Sequence, residues 1–372
     1  MELLDQQNSE CYLRETGRIA ATSRVAIREL TGGVSNMVLL VEHLDNPANN
    51  FVVKQARAQL RTRHVWLSSV ERIWREAEVL RICQRILAKT NACGSLKIGT
   101  PQILFEDREQ YLFGMTAAPQ PNVVWKADLL AGHADAAVAE AAGLLLGTLH
   151  AGSWKDAAVA STIGDRTLFD ELRVDPYYRT LAAERPETSP AVERLIASLE
   201  AHPRCLVHAD FSPKNMLLFS GGVMLVDFET GHYGDPAFDL GFLLSHLMLK
   251  AFLLAPRHAP YVALTESFCK AYDAVLQTAV SQEELADLWQ RGVQNFAGCA
   301  WARLDGKSPV EYLSEEPRRE AVRELCREIL ATRPTTWPDV VQLASTRLAQ
   351  ITLTKLELSS ESEELNCRRS RR

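Results

Sequence analysis

Residues 206–229 read LVHADFSPKNMLLFSGGVMLVDFE, and the reading of the chain turns on this stretch. His208, Asp210 and Asn215 stand in the spacing H-x-D-x-x-x-x-N. The apolar runs NMLLF and VMLVD then flank Ser220-Gly221-Gly222, a β-hairpin signal. Such a hairpin returns Asp227-Phe228-Glu229 opposite the first three residues. Phosphoryl transfer asks for a carboxylate that orients or accepts a proton from the attacking hydroxyl, and for oxygen ligands that hold Mg2+ on the phosphates. Asp210 suits the first task. Asn215 and Asp227 suit the second, because a hard cation prefers oxygen donors and keeps several waters. A polar loop beside an incidental hairpin has no reason to match all four positions.

Outward from this stretch the periodicity changes character once. From Val25 to Met115 short β-like runs dominate (VAIREL, MVLLVEHL, NNFVVKQA, PQILFED, QYLFGM), interrupted by one helix at about 68–88. After Ala117 the pattern is helical, near 134–151, 189–201, 235–255, 259–277, 281–302, 317–332 and 338–353, the hairpin excepted. No internal repeat occurs. The fold class expected is α+β in two lobes, a small β-rich lobe over 21–116 and a larger helical lobe over 117–356. Residues 1–20 read as a peripheral N-terminal extension. Residues 357–372, ELSSESEELNCRRSRR, read as a disordered tail with an acidic block before a basic one.

The stretch 206–241 resembles the aminoglycoside phosphotransferase and choline kinase group, small-molecule kinases with a protein-kinase-like fold, and the resemblance extends over about 25–350. Members commonly carry His-Gly-Asp where this chain has His208-Ala209-Asp210, and Ser212 and Lys214 depart from the Lys-Pro-Glu arrangement of protein kinases. The resemblance implies ATP with Mg2+ between the lobes. It implies a phosphate-binding turn at Gly32, Gly33, Ser35 and Asn36, between two β-like runs, and a strand lysine, Lys54, for the α- and β-phosphates. Glu76 is the expected partner of Lys54, since it shares the inward stripe of Ile73 and Leu80, whereas Glu78 shares a face with Glu71 and Arg81. The interlobe hinge falls at Met115 and Ala117, whose backbone would meet adenine.

Asp239 follows Asp227 by only twelve positions, too few for the long segment with which protein kinases present a peptide, so a small acceptor is expected. Asp239 resembles the aspartate that braces the catalytic loop, and Asp235 before Pro236 reads as a helix cap. Glu229, in Asp-x-Glu, is similar to the glutamate of methylthioribose kinases that joins the metal shell, and an outward, solvated Glu229 is the alternative. The run Trp125–Gly132 also resembles that branch, although Asn215 departs from it. Arg303 and Asp305 read either as acceptor ligands or as parts of a helix end closed by Gly306 and Pro309. The acceptor is then an aminoglycoside, a sugar such as methylthioribose, or an amino alcohol such as choline or homoserine. A nucleotide-binding regulatory pseudokinase is the rival reading.

Composition agrees with two packed lobes: 372 residues, 47% hydrophobic and 24% charged. A net charge of -6 argues against a general nucleic-acid binder, which needs excess positive charge. Residues 1–116 carry net +2 and residues 117–356 net -8, and an acidic lobe is compatible with a cationic acceptor. Eight scattered cysteines without a Cys-x-x-Cys pair suit a reducing, cytoplasmic compartment. The start MELLDQQNSE lacks signal-peptide character, and the apolar run 240–256 is broken by Ser245, His246 and Lys250, so a buried helix is expected there rather than a membrane span.

Overall fold

The computed structural model describes residues 3–30, 36–59, 69–90 and 94–351. The turn residues Gly32, Gly33 and Ser35 and the tail 357–372 therefore lie outside the described residues. Strands β1 (Val25–Glu29), β2 (Asn36–His43), β3 (Phe51–Ala56), β5 (Ile103–Asp107) and β6 (Leu112–Thr116) form one antiparallel sheet in the order β1-β2-β3-β6-β5. β3 is central, and all six of its residues are buried. That placement puts Lys54, opposite Val38 and Phe113, inside the lobe rather than on an edge.

Helix α2 (Arg72–Ala88) covers the inner face of this sheet with Ile73, Ala77, Leu80 and Ile86. Glu76 lies within that apolar stripe and is buried with it. The opposite face is covered by residues 3–20. Helix α1 (Ser9–Glu15) and its flanks bury Leu4, Leu13 and Ile19 against Met37, Leu39, Val41, Phe51 and Val53. Tyr12 reinforces the contact by donating to Asp107 at 2.6 Å. The extension is thus part of the small lobe's core, because one face of a five-stranded sheet would otherwise be open to water.

From β6 the chain crosses through β7 (Asn122–Val124) and α3 (Trp125–Leu130) to the larger lobe. There α4 (Ala136–Gly152), α5 (Ala157–Ile163), α6 (Thr167–Phe169), a π-helix over Asp170–Arg179, α7 (Thr180–Glu184) and α8 (Ser189–Ala201) precede the motif. Helices α9 (Ala237–Leu254), α10 (Ala259–Leu276), α11 (Gln282–Asp305) and α12 (Glu316–Thr332) follow it, with a further helix over 337–351. α4 packs closely on α10 because Gly143 has no side chain; a Cβ there would stand 2.3 Å from the Phe268 carbonyl oxygen. α9 is long and apolar enough to cross a membrane by composition, yet 89% of it is buried within the fold, as the core helix of this lobe.

The motif itself is framed by short strands. β9 (Met216–Phe219) and β10 (Gly222–Leu225) form the expected hairpin, extended by β7 and by β4 (Lys97–Gly99) into a four-stranded sheet. β8 (Cys205–Val207) pairs with β11 (His232–Gly234), which pins the two ends of the motif together. β4, β7, β8 and β11 are three residues each, too short to carry a periodic signal.

Candidate active site

Lys54 makes the link between the lobes. Its Nζ donates to Glu76 Oε1 at 2.6 Å and to Asp227 Oδ1 at 2.7 Å. Glu76 Oε1 also accepts the Phe228 N–H at 3.2 Å, so one carboxylate ties β3, α2 and the segment after the hairpin together. Burial opposes the charge on Lys54, but Asp227, Glu76 and Glu229 outweigh it and hold the ammonium above the ordinary lysine value. For Glu76 burial dominates over the pull of Lys54, and its carboxyl is pushed up. Burial also resists ionisation of Asp227, yet Lys54 and Lys214 together keep it below the usual carboxylate range.

The catalytic-loop candidate, Asp210, is 4% exposed and densely held. Arg173 approaches Oδ1 at 3.0 Å, while Lys214 and the Asn215 amide reach Oδ2 at 2.9 and 2.8 Å. Burial raises its pKa and these cations lower it further than burial raises it, so the carboxylate is ionised. Asp239, fully buried at the start of α9, accepts the His208 and Ala209 N–H groups at 2.7 and 2.8 Å, which sets the loop's position. Asp235 caps α9 through the Ala237 N–H and is itself held by Arg291 at 2.9 Å.

Ala209 occupies the left-handed region, with φ of 60°. A Cβ there costs about 1–2 kcal/mol, offset in part by the lower unfolded-state entropy of alanine against glycine. Ala209→Gly is therefore expected to raise stability by about 0.5–1 kcal/mol in urea unfolding, with turnover retained. A loss of stability would mean that packing of the buried methyl outweighs the backbone strain.

Asn215, Asp227 and Glu229 form the oxygen-donor candidate for a cation. Both Asn215 bonds to Asp210 run through Nδ2, and neither uses Oδ1. Among the described residues no group of three His, Cys, Asp or Glu side chains converges as a closed metal site. Two carboxylates and an amide are instead the open donor set that suits Mg2+ shared with phosphates. Glu229 is partly buried rather than turned out to solvent. Burial and the adjacent Asp227 push its carboxyl up, and the Asn36 amide donates to it at 3.3 Å. The Asn36 side chain is thereby engaged with Glu229 across the cleft.

Of the expected hinge and acceptor residues, Asp305 is the one whose role needs correction. Met115 lies in β6 between β3 and β5, with its side chain in the apolar core. The Ala117 N–H donates to the Asn50 carbonyl at 3.2 Å, so an adenine contact through that group would displace an existing bond. Asp305 is not an acceptor ligand. Its carboxylate is saturated by Arg185 at 2.9 Å, by Arg323 at 2.9 and 3.0 Å, by Arg319 at 3.5 Å and by the Trp301 indole at 3.1 Å. It is the hub that ties α11 to α12 and α7. Asp305→Ala is expected to cost about 3 kcal/mol in chemical unfolding, because it strands buried arginine charge, while the acceptor KM stays unchanged. A raised acceptor KM at unchanged stability would contradict this. Arg303 does not join this hub; its Nη1 donates to the Tyr177 hydroxyl at 3.4 Å and to the Ser308 hydroxyl at 3.2 Å.

Two residues at the site escape the sequence reading. Lys214 is four residues after Asp210, a spacing visible in the motif. Arg173 sits on the π-helix, where its Nε donates to the Ala209 carbonyl at 2.5 Å, and nothing in its local sequence marks it. Surface concavities of about 530 and 280 Å³ against α2 hold none of these side chains.

A β-rich lobe and a helical lobe, with a lysine–glutamate pair facing an aspartate–asparagine loop, define the cleft of a kinase-like phosphotransferase. Residues 26–273 match the sequence model of the phosphotransferase enzyme family named APH, and the chain belongs to that family. It is a small-molecule kinase that uses ATP. The chain is 27% identical over 308 residues to a methylthioribose kinase of Escherichia coli O45:K1 (strain S88 / ExPEC), covering 74% of this chain and 69% of the relative. It is 25% identical over 284 residues to methylthioribose kinase 2 of Oryza sativa subsp. japonica, covering 67% and 63%. In fold it is similar to the amicoumacin kinase hAmiN, solved with AMP-PNP, Ca2+ and Ami, with a TM-score of 0.53 at 15% identity over 91% of this chain and 98% of that one.

Proposed function

We propose that the cleft transfers the γ-phosphoryl group of Mg-ATP to a hydroxyl of a small, polyhydroxylated acceptor, with 21–116 as the nucleotide lobe and 117–356 as the acceptor lobe. The observation that carries this reading is the meeting of Lys54, Glu76, Asp227, Asn215 and Asp210 in one cleft through contacts of 2.6–2.8 Å. Lys54, steadied by Glu76, is assigned to the α- and β-phosphates. Asn215 and Asp227, with Glu229 beside them, are assigned to Mg2+, which when bound supplies positive charge to the phosphate oxygens. Asp210 orients the acceptor hydroxyl and takes its proton. The hydroxyl oxygen bonds to the γ-phosphorus as the bond to the β–γ bridging oxygen breaks, and ADP leaves with that electron pair. Lys214, at 2.9 Å from Asp210, is placed to meet the charge of the moving phosphoryl group.

Methylthioribose is the first acceptor to test, because two relatives carry that name, followed by homoserine, choline and aminoglycosides. The experiment is a coupled assay of ADP release over this panel and a wider set of hydroxylated metabolites. Acceptor-dependent release at least about tenfold above the ATPase background supports the reading. Tight Mg-ATP binding with release that no acceptor changes would instead indicate a regulatory nucleotide-binding protein.

A further inference from the structure

Behind Asp210 runs a buried stripe of α9 in which Phe242, His246 and Lys250 recur at intervals of four residues. Contacts connect this stripe to the catalytic carboxylate. Arg173, 3.0 Å from Asp210, lies 5.8 Å from the Phe242 ring centre, and Phe242 lies 5.0 Å from the His246 imidazole. Tyr177 stands 5.5 Å from Phe242 and carries the Arg303 guanidinium at 5.9 Å. Lys250 closes the far end, fully buried, with its Nζ donating to the His246 carbonyl at 2.9 Å and 5.3 Å from the Tyr312 ring.

A buried lysine ordinarily has a carboxylate partner. Here the cations Lys126 on α3 and Arg303 on α11 are the charges that bear on Lys250, and burial together with them lowers its pKa to about 7. His246 is crowded by burial and by the same cations, with Lys214 added. Three further polar atoms in this group, His246 Nε2, Tyr312 Oη and Arg303 Nε, are buried without a hydrogen-bond partner, and His246 as a whole is 8% exposed. Each of these leaves a desolvation cost unmet. In a chain of net charge -6, Lys250, the Arg303 guanidinium and these orphaned polar atoms lie near one another.

We propose that this cluster is an anion subsite, and that the acceptor is a hydroxylated small molecule bearing a carboxylate or phosphate group. This rests on the reading of Asp210 as the residue that orients the acceptor hydroxyl. An anion here would accept from Lys250 Nζ, Arg303 Nε, Tyr312 Oη and His246 Nε2, and would satisfy all four at once. Cationic acceptors of the aminoglycoside or choline kind would meet like charge instead.

The test uses the full chain with AMP-PNP and Mg2+ saturating the nucleotide site, so that phosphate groups cannot bind there. D-gluconate, D-ribose 5-phosphate, neutral D-ribose and cationic D-glucosamine are titrated by calorimetry into the wild type, Lys250→Met and Tyr312→Phe. At least one anion is expected to bind about tenfold or more tightly than the neutral and cationic sugars, and Lys250→Met to lose that margin. Preference for gluconate identifies a carboxylate, and preference for ribose 5-phosphate a phosphate. Anions that bind no tighter than ribose, or a preference that survives in both variants, overturn the inference. Failure of the wild type to bind AMP-PNP would instead sink the proposed function. Lys250→Met is expected to fold with a raised Tm, since methionine fills the space without a buried amine. That advantage should shrink as pH rises from about 7 to 10.5, because the unfolded chain still holds the proton that the folded one has lost, and wild-type stability climbs across that window.

Discussion

Asp210→Asn is expected to lower kcat by about two orders of magnitude or more, with Mg-ATP affinity changed by less than about threefold. The amide keeps the shape of the side chain but cannot take the acceptor's proton. It also removes the charge toward which Arg173, Lys214 and the Asn215 amide converge at 2.8–3.0 Å. Three donors then face a group that is itself half donor, so the loop loses the orientation that a hydroxyl needs for in-line attack. The contacts of Lys54 with Glu76 and Asp227 do not involve Asp210, which is why the nucleotide should still bind. Single-turnover phosphate transfer and calorimetric Mg-ATP titration separate the two effects. Full turnover in Asp210→Asn with a true acceptor would remove Asp210 from the catalytic role.

Asp227→Asn is expected to behave differently, weakening Mg-ATP binding by about tenfold or more as well as reducing turnover by about a hundredfold. Two losses coincide here. A charged oxygen donor leaves the candidate cation site, and Lys54 is left with Glu76 as its remaining close carboxylate, at 2.6 Å. Lys54 is 6% exposed on its side chain, so water cannot make up the missing charge. The measurement is the Mg2+ dependence of nucleotide affinity: the wild type should show it strongly and Asp227→Asn weakly. Nucleotide binding that keeps its full Mg2+ dependence in this variant would place the cation elsewhere.

Features set by neighbours in the chain are legible in the amino-acid sequence alone. The spacing of His208, Asp210 and Asn215, the Ser-Gly-Gly turn that returns Asp227, and the short run to Asp239 are all local. Glu76 stands out from Glu78 for the same reason, since a helix repeats every 3.6 residues and the stripe of Ile73 and Leu80 includes one glutamate and not the other. Legibility ends where a partner lies far along the chain. Arg173 reaches Ala209 across 36 residues, and Arg185 reaches Asp305 across 120. Asp305 has the look of an acceptor ligand because its own neighbours, Arg303 and Lys307, are polar. Packing of α11 against α12 and α7 makes it a buried hub instead. The first twenty residues are similar: nothing local tells that Leu4, Leu13 and Ile19 close a sheet face. Charge divides the same way. Net charge is a sum over a stretch of sequence, whereas the charges that bear on one buried side chain depend on which helices meet around it, and here Lys126 on α3 and Arg303 on α11 bear on Lys250 of α9.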